Sequence, residues 1–232
     1  MMKTLVIRLT SPLQSYGNEA TFNRRTSYHY PSKSAILGML AAALGYRRDD
    51  SRISALNKLQ VAVRIDQPGQ TLTDFQIIEY DRAHHKRSLS YRDYLQDAIF
   101  VVAIGGDDEQ IEQVDIALHH PQFQLFLGRR ANVPAGPIIT KVFENEDPIA
   151  VLKKYDWQAA EWYRRSKESY SAEVIADADL LPDRMSALIK DSIGSFSQNH
   201  RWHSYRAVTS IHVNLRNEHG NDTDHDIMAN VH

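Results

Sequence analysis

Arg129 and Arg130 close the run Leu127-Gly128-Arg129-Arg130, where an apolar stretch gives way to charge. A guanidinium is a planar, permanently charged fork of donors, so it suits a phosphate in two bonds or a base face. Neighbours leaving a strand face opposite sides, so one arginine of the pair fits RNA and the other a strand-end salt bridge. Lys33 and Ser34 follow Pro31-Ser32 at the first turn of an expected helix. Backbone N–H groups there attract anions, although ordinary capping beside a solvated lysine fits the same residues. Gln14 and Tyr16 sit in the preceding loop, where they can read or stack an unpaired base, or pack. Arg24 and Arg25 lie between Phe22 and Tyr28, an order that suits tracking a single strand. Arg87, Tyr91 and Arg92 add a further basic-aromatic stretch, in which Arg92 can also pair with Asp93 or Asp97. Trp202 can stack a base or anchor the C-terminal part.

Catalytic constellations are thin. Tyr80, His84, His85 and Lys86 lie close together and hold the base, acid and cation that attack by a 2′-hydroxyl needs. A solvated segment is the preferred reading of the same residues. His200-x-x-His203 has metal-like spacing but no thiolate or carboxylate partner nearby, and the chain has no cysteine. A Walker loop, a G-x-G-x-x-G turn and a G-x-S-x-G elbow are absent, as is the aromatic RNA platform motif of RRM strands. No cofactor and no metal are expected, so any RNA contact falls to loops and insertions.

The elements that must position these residues follow from periodicity. Leu5, Ile7 and Leu9 alternate as a first strand. Ser32 caps a helix whose apolar face is Ala35, Ile36, Met39, Leu40, Ala43 and Leu44, ended by Gly45. A short helix is expected over 51 to 58, and Val61, Val63 and Ile65 form a second strand stopped by Pro68-Gly69. Residues 69 to 96 have little apolar periodicity and read as an insertion projecting from the core. Ala98 to Ile104 is a buried strand. Asp107 to Glu109 open a helix with Ile111, Val114 and Leu118 inward, and Pro121 ends it. Phe123, Leu125 and Leu127 alternate as a fourth strand.

That order predicts an α+β chain with a ferredoxin-like (RRM-like) βαββαβ core. Residues 1 to 140 hold the core with the insertion at about 69 to 96. Residues 141 to 216 form a small β-rich annex, with a strand near 138 to 143 and another over Ile211, Val213 and Leu215. A polar tail runs from 217 to 232.

The 232 residues suffice for one large core or a core plus annex, and apolar and charged contents are ordinary. No run approaches a membrane span, and the start lacks a signal peptide, so a cytoplasmic protein without a membrane partner is expected. Net charge is −2, yet basic residues cluster at 24–25, 47–48, 82–87, 129–130, 164–167 and 201–206. Each cluster is a phosphate-binding candidate or a solvated face.

Five segments occur in one order: Ser11-Pro12-Leu13-Gln14-Ser15-Tyr16-Gly17; Pro31-Ser32-Lys33-Ser34-Ala35-Ile36-Leu37-Gly38; Ala41-Ala42-Ala43-Leu44-Gly45; Tyr91-Arg92-Asp93-Tyr94-Leu95-Gln96-Asp97-Ala98; and Leu127-Gly128-Arg129-Arg130 before Pro134. Over residues 1 to 140 they resemble the CasD family, the Cas-five subunit of type I-E CRISPR Cascade complexes. Beyond that only Arg201-Trp202-His203-Ser204-Tyr205 matches, loosely. The resemblance implies a non-catalytic subunit that grips the five-prime handle of the mature CRISPR RNA. It implies a thumb reaching the adjacent backbone subunit, a large subunit docked alongside, and target DNA as an indirect partner. Type I-C relatives process their own precursor RNA, so an endoribonuclease is the alternative it carries.

Overall fold

The computed structural model describes residues 2–17 and 23–217. Phe22 and the tail beyond Asn217 lie outside the described residues.

Strand β1 (Met2–Thr10) alternates as its sequence requires: Leu5, Ile7 and Leu9 are buried in one cluster and Val6 in another on the opposite face. The chain then makes four two-residue strands, β2 (Leu13–Gln14), β3 (Tyr16–Gly17), β4 (Arg24–Arg25) and β5 (Ser27–Tyr28). Helix α1 (Lys33–Ala43) starts where Ser32 accepts the Ala35 N–H in its side chain. It buries Ile36, Leu37, Met39 and Leu40, and Gly45 follows its end with φ +78°. After α2 (Arg52–Ala55) come β6 (Gln60–Gln67), the long pair β7 (Gln70–Asp81) and β8 (Lys86–Gln96), and then β9 (Ile99–Asp107). Helix α3 (Asp108–His119) is capped by the Asp107 carboxylate, which accepts from Gln110 N at 2.9 Å, and buries Ile111, Val114 and Leu118.

The expected fourth strand is not where the sequence alternation put it. Leu125 and Leu127 are buried and Phe123 is exposed, but 121–138 is irregular. The reason lies in the backbone: Gln122 and Phe123 donate to the carbonyls of Ala43 and Ala42 at the end of α1. The place beside β1 goes instead to β10 (Ile139–Glu144), paired antiparallel from Lys3↔Glu144 to Arg8↔Ile139. The strands β10-β1-β9-β6 are thus adjacent in that order, all antiparallel, and α1 and α3 connect β1 to β6 and β9 to β10.

Residues after 140 do not stand apart. Helices α4 (Pro148–Lys154) and α5 (Glu161–Arg165) lead into β11 (Tyr170–Asp177), β12 (Ala187–Ser195) and β13 (Trp202–Leu215). β11 pairs with β6 through Val174, Ile175 and Ala176, extending one seven-stranded sheet in the order β10-β1-β9-β6-β11-β13-β12. The boundary expected at 140 falls inside β10. One sheet face packs on α1 and α3. The other is covered by Ile149, Val151, Leu152 and Trp157 from α4 and its exit. That second face is the surface on which RRM sheets stack bases; here it is core.

The β7–β8 hairpin spans the residues expected to form an insertion. It pairs antiparallel from Gln70↔Gln96 to Asp81↔Lys86 and is exposed along most of its length. Its alternation is strand-like: Phe75, Ile77, Leu89 and Tyr91 all stand exposed on one side, whereas Ser90, Asp93, Tyr94 and Leu95 toward the base are buried.

Candidate nucleic-acid interface

The base of the hairpin is assembled from three distant segments. β8 takes β4 as a parallel neighbour, with Arg24 opposite Tyr91 and Arg25 opposite Arg92. Paired residues share a face and alternate along a strand. Arg25, Arg92 and Tyr94 therefore stand on one face, and Arg24, Tyr91 and Asp93 on the other. Arg129 joins the first set: its guanidinium carbon lies 4.6 Å from the Tyr94 ring centroid, and its Nη2 donates to the Arg25 carbonyl at 3.1 Å. Such a cation–π contact contributes about 0.5–1 kcal/mol at a partly exposed site.

Nε of Arg92 and Nη1 of Arg129 are buried and have no hydrogen-bond partner among the described residues. Buried donors normally find partners. Two guanidinium groups with unfilled donors on one face suit an anion with several oxygens. Arg130 follows in the chain and is exposed. Beside this wall a cavity of about 390 Å³ opens between the hairpin base and the 131–133 loop, lined by Pro12, Leu13, Leu72, Tyr94, Asn132 and Val133 among others.

The loop carrying Arg129 is fixed by backbone. Leu127 N donates to Asn132 O at 2.7 Å, and Asn132 N donates to Arg129 O at 2.8 Å. Gly128 has φ +88°, and a Cβ there would lie 1.7 Å from the Ser15 carbonyl oxygen. Glycine is required on both counts. Replacing Gly128 by alanine is expected to lower stability by roughly 1–3 kcal/mol through local strain and to displace Arg129. Urea unfolding together with an RNA titration would check both effects.

Other expected contacts lie elsewhere. Gln14 is fully buried: its Nε2 donates to Ala98 O at 2.7 Å and its Oε1 accepts from the Tyr16 hydroxyl at 2.6 Å. Tyr16 packs edge-on to Phe100, and burial pushes its hydroxyl pKa far up. These two side chains shape the core beneath the loop and offer no surface to a base. The anion expected at the start of α1 is supplied by the protein. Lys33 N donates to Asp191 Oδ2 at 2.8 Å, and Lys33 Nζ meets Asp177 Oδ2 at 2.7 Å. Both residues are buried, and Ser34 turns its hydroxyl toward that of Ser32. The first-turn site is therefore filled by carboxylates. Arg24 faces Asp93 at 3.6 Å on the opposite side of the hairpin, with Tyr91. Asp93 is thus not the partner of Arg92. Arg87 lies near the hairpin tip across from Glu79, away from the wall. Trp202 covers Gly194 on the neighbouring strand, where a Cβ would come within 2.4 Å of its ring.

Of the tip residues, His84 is held by Asp81 (Nδ1 to Oδ2, 2.7 Å), and His85 stands 3.7 Å from Glu79. Tyr94, Gly128 and Asn132 are the contributors that residue-type reasoning passed over. Of the three, Tyr94 and Gly128 lie in the ordered segments that carry the family resemblance, while Asn132 carried no signal in the sequence.

Comparison with known proteins gives a consistent set of relatives. The family model described as CRISPR-associated protein (Cas_Cas5) matches residues 4–209. The CRISPR system Cascade subunit CasD of Escherichia coli (strain K12) is 29% identical over 175 residues, covering 67% of this chain and 78% of that protein. A chain of a CRISPR RNA-guided surveillance complex superposes with a TM-score of 0.73 at 28% identity, covering 91% of this chain and 90% of that one. A crystal structure of a Cas protein superposes with a TM-score of 0.68, also at 28% identity, covering 94% and 97%.

Proposed function

This chain belongs to the Cas5 family of CRISPR-associated proteins, and from that premise we propose that it is a non-catalytic RNA-binding subunit of a type I-E Cascade surveillance complex. It grips the five-prime handle of the mature CRISPR RNA at the base of the β7–β8 hairpin. The observation that carries this reading is the convergence of Arg25, Arg92 and Arg129 on one face, with donors of Arg92 and Arg129 unfilled. Phosphates of the handle sit against the arginines, with Arg130 adding charge at the rim. The adjoining cavity takes an unstacked base, the usual mode of single-stranded RNA recognition. We read the first four long sheet strands and two helices as a ferredoxin-like core, and the hairpin as its thumb. The uncovered Phe75, Ile77, Leu89 and Tyr91 give that thumb an apolar side for a neighbouring backbone subunit, with the large subunit docked alongside and target DNA reached through the assembly. Such a complex works in the cytoplasm. Among the described residues no helix is long and apolar enough to cross a membrane.

The test uses the assembled complex and repeat RNA. Handle nucleotides should be protected from ribonuclease, and affinity should fall as salt rises, because phosphate contacts release counterions. An unprotected handle would defeat the RNA role. Specific cleavage of precursor RNA by the purified chain in chelator would defeat the non-catalytic role and point to the tip residues Tyr80, His84, His85 and Lys86.

A further inference from the structure

The basic stretch 164–167 takes no part in the arginine wall. It belongs to α5 and its exit, on the sheet face opposite α1. Trp157 Nε1 donates to Asp66 O at 2.8 Å, and Ala160 N donates to Gln67 Oε1 at 3.1 Å. These bonds set α5 at the end of β6 from which the hairpin departs.

Trp162 is 63% exposed on this helix. Its mount is rigid: the ring meets Tyr163 edge-on at 5.7 Å, and Tyr163 is itself edge-on to Trp157 and Tyr170, which stack at 4.9 Å. Asn217 donates from Nδ2 to the carbonyls of Arg164, at 2.8 Å, and Lys167. That tie brings Arg216 beside the same corner. Arg164, Arg165 and Lys167 follow Trp162 closely in the chain and Arg216 adjoins them through the Asn217 tie, against the acids Glu161, which pairs with Arg165, and Glu168. Arg164 Nε is buried without a hydrogen-bond partner among the described residues.

We propose that this corner is a second binding site, for single-stranded nucleic acid. Trp162 is the stacking platform, and Arg164, Lys167 and Arg216 are the phosphate contacts. A braced aromatic face among cations is what sequence-tolerant strand binding uses. Trp, Tyr and Arg also occur at protein interfaces, but the buried core of such a patch is apolar, and residues 161–168 contain no aliphatic side chain to form one. None of its residues belongs to the handle wall.

The experiment uses the full chain carrying Arg92→Ala and Arg129→Ala, so that loss of the handle site cannot be confused with loss of this one. Labelled oligothymidylate and oligouridylate are titrated by fluorescence anisotropy; the two arms separate DNA from RNA, and binding of either supports the site. Adding Trp162→Ala should weaken binding roughly tenfold, the loss expected for one stacked base, while Trp162→Phe, which keeps a ring, should restore most of it. Replacing Arg164, Lys167 and Arg216 by glutamine should flatten the salt dependence. Binding unchanged in both the alanine and glutamine variants would overturn the proposal. So would a Trp162→Ala chain that binds oligonucleotide normally yet fails to join its partner proteins, which would make the corner a protein contact.

Discussion

Replacing Arg92 and Arg129 together by alanine is expected to weaken handle-RNA binding at least about a hundredfold, since hydrogen bonds to charged groups contribute ~1.5–3 kcal/mol each. The wall offers two guanidinium groups on one face, and each has a buried donor without a partner among the described residues. Arg129→Ala alone should also cost about 1 kcal/mol of stability, because its guanidinium rests on Tyr94. Arg129→Lys should restore charge but not the paired bonds of a planar fork. Exposed Arg130 lies at the rim, where a charge mainly changes the association rate and salt dependence. The measurement is a salt-controlled RNA titration of wild type, the double variant and Arg130→Ala, each with its unfolding curve. A larger loss from Arg130→Ala than from the double variant would sink the assignment of the wall.

Asp177→Ala is expected to destabilise the fold by ~3–5 kcal/mol, the usual cost of breaking a buried ion pair from one side. Asp177 accepts from Lys33 Nζ, from Arg206 Nη1 at 2.6 Å and from Val61 N at 2.8 Å. Arg206 also holds Asp191 in two bonds, and Asp191 accepts the first N–H of α1. Burial works against the charge of Arg206, but hydrogen bonds and the charge of Asp191 and Asp177 outweigh it, and its pKa is raised. Three buried charges and the partly buried Arg206 thus fasten β11, β12 and β13 to α1 and β6. Removing Asp177 strands the Lys33 ammonium inside the protein, while Arg206 keeps Asp191. A domain's whole stability is about 5–15 kcal/mol, so the urea midpoint should fall steeply. A fall below about 1 kcal/mol would show that the network is not what joins the C-terminal strands to the rest.

Much of this architecture was written locally. The alternation of Leu5, Ile7 and Leu9, the Ser32 cap, the Asp107 cap and the buried run before Gly105 each depend on neighbours within a few residues, and each forms the expected element. The insertion was legible because 69–96 lacks a buried stripe, although its hairpin form was not. The ordered motifs from Ser11 to Arg130 pointed to the family that the comparison shows.

Other features depended on contacts far along the chain. Phe123, Leu125 and Leu127 alternate like a strand, but alternation specifies only which side chains are buried, and the end of α1 claims their N–H groups. Lys33 and Arg206 look like phosphate ligands in sequence; Asp177 and Asp191, more than 140 residues from Lys33, consume the lysine and its helix start. Gln14 and Tyr16 look like loop residues, yet they hydrogen-bond each other inside the core. The sequence by itself determined the strand and helix periods, the caps, the breakers and the family motifs, because these are encoded over one or two turns of chain. Only the tertiary structure decided which charges meet a partner within the protein and which leave donors unfilled. A side chain's charge is local, but its neutralisation depends on what the fold brings against it: for Arg129 an aromatic ring and a carbonyl, for Lys33 a carboxylate.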